Sequence, residues 1–230
     1  RTFTIAVLGK MNDEDVTEVA LAKYKKFLKQ PGSLSPDLTE TICSIAAWNG
    51  NSKTFAELKK LYTNAKTMEE KLRFLGAMCG FQDKKLLVKT LNFSQTPEVR
   101  SQNMQLPIMK VAGNPYGEKV LWPWLKKNWK NINKKVGHGN PLFNRIVASI
   151  AGVADDSMEN EIKLFFKVFV TAIPFLAACS ASYKSLLRGI FPPIFVKLKS
   201  YAAFHPATAP GIVKAAKGPL LGMESKPFSL

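Results

Sequence analysis

Zinc-dependent hydrolysis is the first chemistry to look for in this sequence, because histidines and a glutamate at helical spacing are its usual signature. The chain has two histidines, His138 and His205, which lie far apart. Neither belongs to an HExxH segment, in which two histidines on one helix face bind zinc and the glutamate acts as the base. His138 lies in a polar loop, where a solvent-exposed ring is more common than a ligand. The sequence therefore predicts no catalytic, cofactor-binding or metal-binding residue in this chain.

Other catalytic signatures are also missing from the sequence. It contains no G-x-S-x-G nucleophile turn, no G-x-x-x-x-G-K-[ST] phosphate loop and no C-x-x-C pair. Cys43, Cys79 and Cys179 lie at scattered positions in apolar stretches, so we expect free thiols instead of a disulfide framework. Free thiols favour a reduced compartment, and a cytoplasmic location is the prediction, with luminal or membrane-associated locations left open. The Asn92-Phe93-Ser94 glycosylation triplet is a weak signal, since it matters only in a secreted chain.

The charge of the chain is strongly basic, with 33 lysines and arginines, 17 acidic residues and a net charge of +16. Such a charge suits nucleic acid, an anionic membrane surface or an acidic partner, and it does not choose among them. Between Gly113 and Lys167, lysines alternate with Trp122, Trp124 and Trp129. This pattern allows either a stacking and phosphate-binding face or buried rings with lysines in water. We favour buried rings, because large aromatic side chains bury most of their area in helix packings.

Apolar residues recur at helical spacing through the first 167 residues, and turn residues separate the segments. Thr67 to Glu70 has the form of a capping box, in which a hydroxyl and a carboxylate bind free backbone N–H groups. Thr96-Pro97 is interpreted as the start of a helix that Pro107 kinks or ends early. Further helices are predicted at 13–29, after Pro36, at 53–65, at 83–91 and through the tryptophan segment. Short connections and the lack of an alternating β pattern predict an all-α fold, a HEAT- or armadillo-like superhelix of antiparallel helix pairs.

One motif in the tryptophan segment is specific enough to indicate a family. It has the order NP-x-G-x-x-x-x-W-x-x-x-x-x-NW, formed by Asn114, Pro115, Gly117, Trp122, Asn128 and Trp129. It resembles the C-terminal helical domain of the gluzincin zinc aminopeptidases, which include the puromycin-sensitive, endoplasmic-reticulum and archaeal tricorn-interacting aminopeptidases. Flanking segments agree in order and spacing, namely Pro36 to Leu38, Asn49-Gly50 with Tyr62, Glu69 to Lys71, Glu98 to Gln102, Asn144 to Ile146 and Phe165-Phe166. The resemblance covers roughly residues 1 to 167.

The resemblance implies a division of labour between two domains. In that family the helical domain is a bowl that caps the active-site cleft, while an upstream domain binds zinc and holds the peptide's amino terminus with a G-x-M-E-N loop. Met158-Glu159-Asn160 lacks the preceding glycine, and its acidic lead-in indicates a helix start. The segment from Gly222 to Ser225 does not match the G-x-M-E-N loop either. The resemblance thus implies that this chain is inactive alone and that it controls the access of peptides to the active-site cleft. Its implied partners are a peptide substrate and the zinc-holding catalytic domain of the same polypeptide.

A competing interpretation is a basic helical-repeat protein that binds nucleic acid or a protein partner independently of any protease. It rests on the net charge and on the alternation of lysine with tryptophan. Under the aminopeptidase interpretation, no specific nucleic-acid binding is expected. The two interpretations differ in the salt dependence that they predict for binding to nonspecific nucleic acid.

Residues 168–230 depart from the family and are predicted to be a separate apolar, then Pro/Gly-rich basic tail. Val168 to Tyr183 is an uncharged run of 16 residues interrupted by Pro174. This is shorter than the ~20 residues that span a bilayer, so a buried or partner-facing helix is predicted instead of a transmembrane span. A kinked interfacial segment remains open. The opening Arg1-Thr2-Phe3 has the look of a fragment or processed product.

Overall fold

A computed structural model describes residues 2–136 and 141–153, together with Met158, Glu161, Ile162, Leu164 and Phe165. Within these residues the chain forms nine α-helices and no strand, which confirms the predicted all-α fold. Two short 3-10 turns, at Pro31–Ser33 and Ser101–Asn103, join some of them. The helices are α1 (Thr2–Lys10), α2 (Glu14–Lys29), α3 (Pro36–Trp48), α4 (Ser52–Asn64), α5 (Met68–Met78), α6 (Lys84–Ser94), α7 (Gln105–Ala112), α8 (Glu118–Val136) and α9 (Pro141–Val153).

Polar residues just before several helices explain where those helices begin. The Asp13 carboxylate accepts from the Val16 N–H at 3.1 Å at the start of α2. Asn51 and Asp83 cap α4 and α6 in the same way. At the start of α5 the predicted capping box is confirmed, since Thr67 binds the Glu70 N–H while the Glu70 carboxylate binds the Thr67 N–H. These side chains satisfy N–H groups that have no partner inside the helix.

The helices share one apolar core. Helix α3 packs on α1, α2 and α5; α4 packs on α5; and α7 joins α5 and α6 to α8 and α9. The largest fully buried side chains include Trp129, Phe81, Ile42 and Leu58. Helix–helix contacts therefore connect the first described helix to the last through a continuous core. The superhelical arrangement of antiparallel pairs stays a prediction.

The predicted helix start at Thr96-Pro97 is wrong. The Thr96 hydroxyl donates to the Phe93 carbonyl at 2.8 Å, so Thr96 closes the end of α6 instead of capping a new helix. Helix α7 begins at Gln105. Pro107 is its third residue, where a missing N–H costs nothing because the first N–H groups of a helix lack intrahelical acceptors. The proline therefore lies in the first turn of α7 and does not end it early.

Candidate functional site

Helix α8 contains the alternating tryptophans and lysines noted in the sequence. Its tryptophans are buried and most of its lysines are exposed. Trp122, Trp124 and Trp129 are 3%, 6% and 1% exposed. The lysines at 119, 127, 130, 134 and 135 are exposed, and Lys126 is half-buried. The prediction of buried rings with lysines in water is confirmed. A platform for stacking bases cannot be built from these three rings, so the exposed surface of α8 is basic without being aromatic.

The indole N–H groups of two tryptophans tie α8 to neighbouring elements. Trp124 Nε1 donates to the Asn92 Oδ1 of α6 at 2.8 Å, and Trp122 Nε1 donates to Glu161 Oε2 at 2.9 Å. The Asn92 bond also bears on the glycosylation triplet. Ser94 of that triplet is buried and donates to the Leu91 carbonyl at 2.6 Å, inside α6. The triplet therefore forms part of the α6–α8 packing.

The Asn-Pro-x-Gly segment forms the corner between α7 and α8. Asn114 is buried, and its Nδ2 donates to the carbonyls of Cys79 and Phe81, both at 2.9 Å. Its Oδ1 accepts from the Tyr116 N–H at 2.9 Å. One amide thus joins the α7–α8 turn to the end of α5 and the residues that follow it. Asn114, the first residue of the motif that indicates the family, is therefore a packing element in this structure.

Gly117 completes that corner through close approach of two backbone segments. A Cβ at this position would lie 2.0 Å from the Val111 carbonyl oxygen and 2.8 Å from Val111 Cγ1. Since no side chain fits in that space, glycine is required here by contact, not by a left-handed backbone conformation.

A second set of contacts holds Glu161 and Phe165 against α8. The Glu161 carboxylate accepts from both Lys126 and Trp122, and these hydrogen bonds, Lys126 first, lower its pKa below the usual 4.5. The Phe165 ring meets Trp122 and Trp129 edge-on, with centroid distances of 5.2 and 5.7 Å. Two of the buried tryptophans therefore hold the last described part of the chain in place.

A cavity lies at the other end of α8, next to the end of α6. It is lined by Gln95, Asn131, Lys134 and Lys135, and its volume is about 410 Å³. Lys135 Nζ donates to the Gln95 carbonyl. Sequence reasoning missed this cavity, because nothing in the local pattern indicates that Gln95 lies beside the end of α8.

Within the described residues, no group of three or more histidine, cysteine, aspartate or glutamate side chains could hold a metal ion. His138, His205, Cys179 and the segments 168–183 and 222–225 lie outside those residues, as do Glu159 and Asn160. Cys43 and Cys79 are both buried and free. Burial raises the pKa of both thiols to about 12, so neither is a thiolate nucleophile at neutral pH. No described helix is long and apolar enough to cross a membrane.

The helices place this chain in the class of all-α domains. Asn114, at the start of its distinctive Asn-Pro-x-Gly motif, contributes to packing between the helices. A family model described as the ERAP1-like C-terminal domain matches residues 1–171. The chain therefore belongs to the ERAP1-like C-terminal domain family. In the M1 aminopeptidases that contain this C-terminal domain, the zinc lies in the separate catalytic domain.

Curated relatives are aminopeptidases. The chain is 34% identical over 175 residues to Aminopeptidase M1-C of Oryza sativa subsp. japonica, a match that covers 72% of this chain and 19% of that protein. It is 29% identical over 160 residues to Aminopeptidase 2 of Candida albicans, covering 67% and 17%. It is 27% identical over 156 residues to Aminopeptidase 2, mitochondrial, of Saccharomyces cerevisiae, covering 67% and 16%. The chain thus spans less than a fifth of each of these relatives.

Proposed function

We propose that this chain is the noncatalytic C-terminal domain of a zinc-dependent aminopeptidase that removes N-terminal residues from peptides. In this role it caps the active-site cleft of a catalytic domain in the same polypeptide and limits which peptides enter. The observation that carries the proposal is the family match over residues 1–171. The buried Asn114 corner adds support, since this residue of the motif is used to hold helices together.

The positive charge of the domain provides a way to bind the carboxyl end of a peptide. Residues 1–167 carry a net charge of +10, because the +6 of residues 168–230 is subtracted from the total of +16. An aminopeptidase binds its substrate by the amino end, so the carboxyl end points away from the catalytic zinc. A basic surface on the capping domain would attract that distal carboxylate.

A peptide-binding measurement tests this role. A nonapeptide with an N-terminal fluorophore is titrated with the chain, once with a free carboxylate and once with a C-terminal amide, and anisotropy is recorded. We expect at least threefold tighter binding of the carboxylate form, with the difference reduced at high salt because exposed charges are screened. Equal affinity of the two forms, or no binding of either, would contradict the proposed contact with the distal end.

We further propose that the domain ends near residue 167, that residues 168–230 form a distinct tail, and that the protein is cytoplasmic. The compartment proposal rests on the free, buried Cys43 and Cys79. Limited proteolysis with mass spectrometry checks the boundary. A stable fragment ending near 167 is expected, and equal protection of residues beyond 190 would argue for one continuous domain.

The second candidate function, a basic protein that binds nucleic acid, is favoured by the exposed lysines of α8. The tryptophans of α8 are buried, so they cannot provide the base-stacking contacts on which this candidate function was partly based. Binding to a nonspecific DNA duplex between 50 and 200 mM salt separates the candidates. Submicromolar affinity that falls steeply with salt would favour nucleic acid, because neutralised phosphates release counterions.

A further inference from the structure

Positive charge is concentrated on two helices that pack against each other, α6 and α8. Together they contain nine lysines and no arginine, and their one acidic residue is Glu118. They therefore carry a net charge of +8 out of the +10 of residues 1–167, and all the other residues up to 167 together carry only +2. The basic charge of this domain is thus a local feature of one pair of helices.

Five exposed lysines form two rows, one on each helix. Within each row the residues are three or four apart, so they lie on the same side of their helix. The rows, called the basic surface below, consist of Lys85 and Lys89 on α6 and Lys127, Lys130 and Lys134 on α8. A hydrogen bond of 2.8 Å from Trp124 Nε1 to Asn92 Oδ1 joins the two helices. Lys89 lies three residues before Asn92, and Lys127 lies three residues after Trp124, so the rows adjoin at this bond.

The described part of the chain provides no acidic partner for the basic surface. The cations of its salt bridges are Lys59, Arg73, Lys110 and Lys126. None of the five lysines of the basic surface takes part in such a bridge, and Glu118 lies in the first turn of α8, away from Lys127. Like charges that are not compensated repel one another, so an anionic partner outside these residues would be favoured.

The composition of the basic surface distinguishes between classes of anionic partner. Protein interfaces are enriched in arginine and depleted in lysine, because the planar guanidinium group binds carboxylates through two hydrogen bonds. The basic surface consists of lysine alone. A lipid surface attracts cations through its field, for which lysine serves as well as arginine. Since the tryptophans of α8 are buried, the surface also lacks rings on which bases could stack. These features favour a bilayer over an acidic protein or a nucleic acid.

An exposed leucine supplies an independent apolar contribution beside this surface. Leu164 is 64% exposed, and it lies between Glu161, which accepts from Lys126, and Phe165, which packs on Trp122. The uncharged run from Val168 to Tyr183 begins four residues later in the sequence. Stable attachment to a bilayer surface takes an apolar contribution together with basic charge. Neither a nucleic acid backbone nor an acidic peptide would use an exposed leucine in this way.

We propose that the basic surface, together with Leu164, docks this chain on an anionic lipid bilayer. The five lysines meet the negatively charged headgroups, and the leucine side chain enters the boundary between headgroups and acyl chains. The contact is peripheral, since no described helix is long and apolar enough to span a bilayer. It does not rest on the aminopeptidase role, because the contact requires neither a peptide nor a catalytic domain.

Sedimentation of the full chain with lipid vesicles tests the proposal. One set of vesicles contains phosphatidylcholine with 30% phosphatidylserine, and the other contains phosphatidylcholine alone. We expect binding to the anionic vesicles only, weakened by added salt because exposed charges are screened. The Lys89→Gln/Lys127→Gln/Lys130→Gln variant should lose at least tenfold in affinity, since each lysine near an anionic surface contributes roughly fivefold. The matched control removes the same charge from exposed positions of α2, whose main contacts are with α1 and α3. This control, Lys25→Gln/Lys26→Gln/Lys29→Gln, should lose no more than threefold.

A further variant, Leu164→Ser, separates a bilayer from other polyanions without changing the charge. It should lower the affinity for anionic vesicles at least threefold and leave binding to a nonspecific DNA duplex unchanged. Equal losses in the two triple variants would overturn the proposal in favour of diffuse charge attraction. Failure of the parent chain to bind anionic vesicles, equal binding to both sets of vesicles, or unchanged vesicle binding by Leu164→Ser would also overturn it. Binding to the DNA duplex or to polyglutamate without binding to vesicles would assign the surface to a nucleic acid or an acidic protein instead.

Discussion

Replacing Asn114 by alanine tests the claim that the family motif is a packing element. The substitution removes the Nδ2 donor of two carbonyls, Cys79 O and Phe81 O, and the acceptor of the Tyr116 N–H. Asn114 is 7% exposed, so water cannot easily take the place of its amide. The corner between α7 and α8 would lose its link to the end of α5.

The magnitude follows from the number of groups left without partners. A buried carbonyl deprived of its donor costs about 1–3 kcal/mol, so the two carbonyls together contribute roughly 3 kcal/mol. The Tyr116 N–H adds less, because Tyr116 is 38% exposed and water reaches that region. For a chain of this size a loss of ~3 kcal/mol lowers the melting temperature by roughly 6–12 °C. Asn114→Asp should cost more, since a buried carboxylate has no N–H to donate.

Urea unfolding of the full chain, followed by tryptophan fluorescence, measures the loss. Asn128→Ala is the matched control, because Asn128 belongs to the same motif and its Nδ2 donates to the Trp124 carbonyl at 2.8 Å within α8. That carbonyl belongs to the interior of the helix, so we expect a loss below about 1 kcal/mol. If Asn114→Ala and Asn128→Ala lose the same free energy of unfolding, the buried network does not hold the corner and the reasoning fails.

Three further predictions concern the same fold. Gly117→Ala should lower the free energy of unfolding by about 2 kcal/mol or more, since its Cβ would overlap the Val111 carbonyl; an unchanged urea midpoint would show that the turn adapts freely. Thr67→Ala should cost about 1 kcal/mol by removing the capping box, whereas a matched Thr63→Ala change should stay within about 0.5 kcal/mol in urea unfolding. Because the pKa of Glu161 is lowered on folding, its stabilisation is present above pH 4.5 and is lost as pH falls through the lowered value. Between pH 6 and pH 3 the free energy of unfolding should therefore decline less steeply in Glu161→Gln than in the parent chain. Identical slopes would contradict this.

The features predicted correctly from the sequence are those with local causes. The start of α5 follows from Thr67 and Glu70, three residues apart, and the start of α2 from Asp13. The orientation of the tryptophans in α8 follows from helical periodicity and the preference of large rings for the core. Such signals act within one or two turns of helix, so no knowledge of the packing is needed to see them.

The features that the sequence did not reveal depend on contacts between distant segments. Thr96-Pro97 is compatible with a helix start or with a turn, and the bond from Thr96 back to Phe93 decides for the turn. The carbonyl partners of Asn114 are residues 79 and 81, which no local pattern connects to it. Gln95 and Lys135 meet only because α6 packs on α8. The cavity that they line therefore could not be predicted from spacing.

The most direct test of the central claim is whether the isolated chain hydrolyses an aminopeptidase substrate. The purified chain is incubated with alanine p-nitroanilide and equimolar zinc, and release of nitroaniline is followed with and without a chelator. A noncatalytic C-terminal domain predicts a rate equal to that of buffer in both conditions. Hydrolysis that requires zinc and stops on chelation would contradict the account.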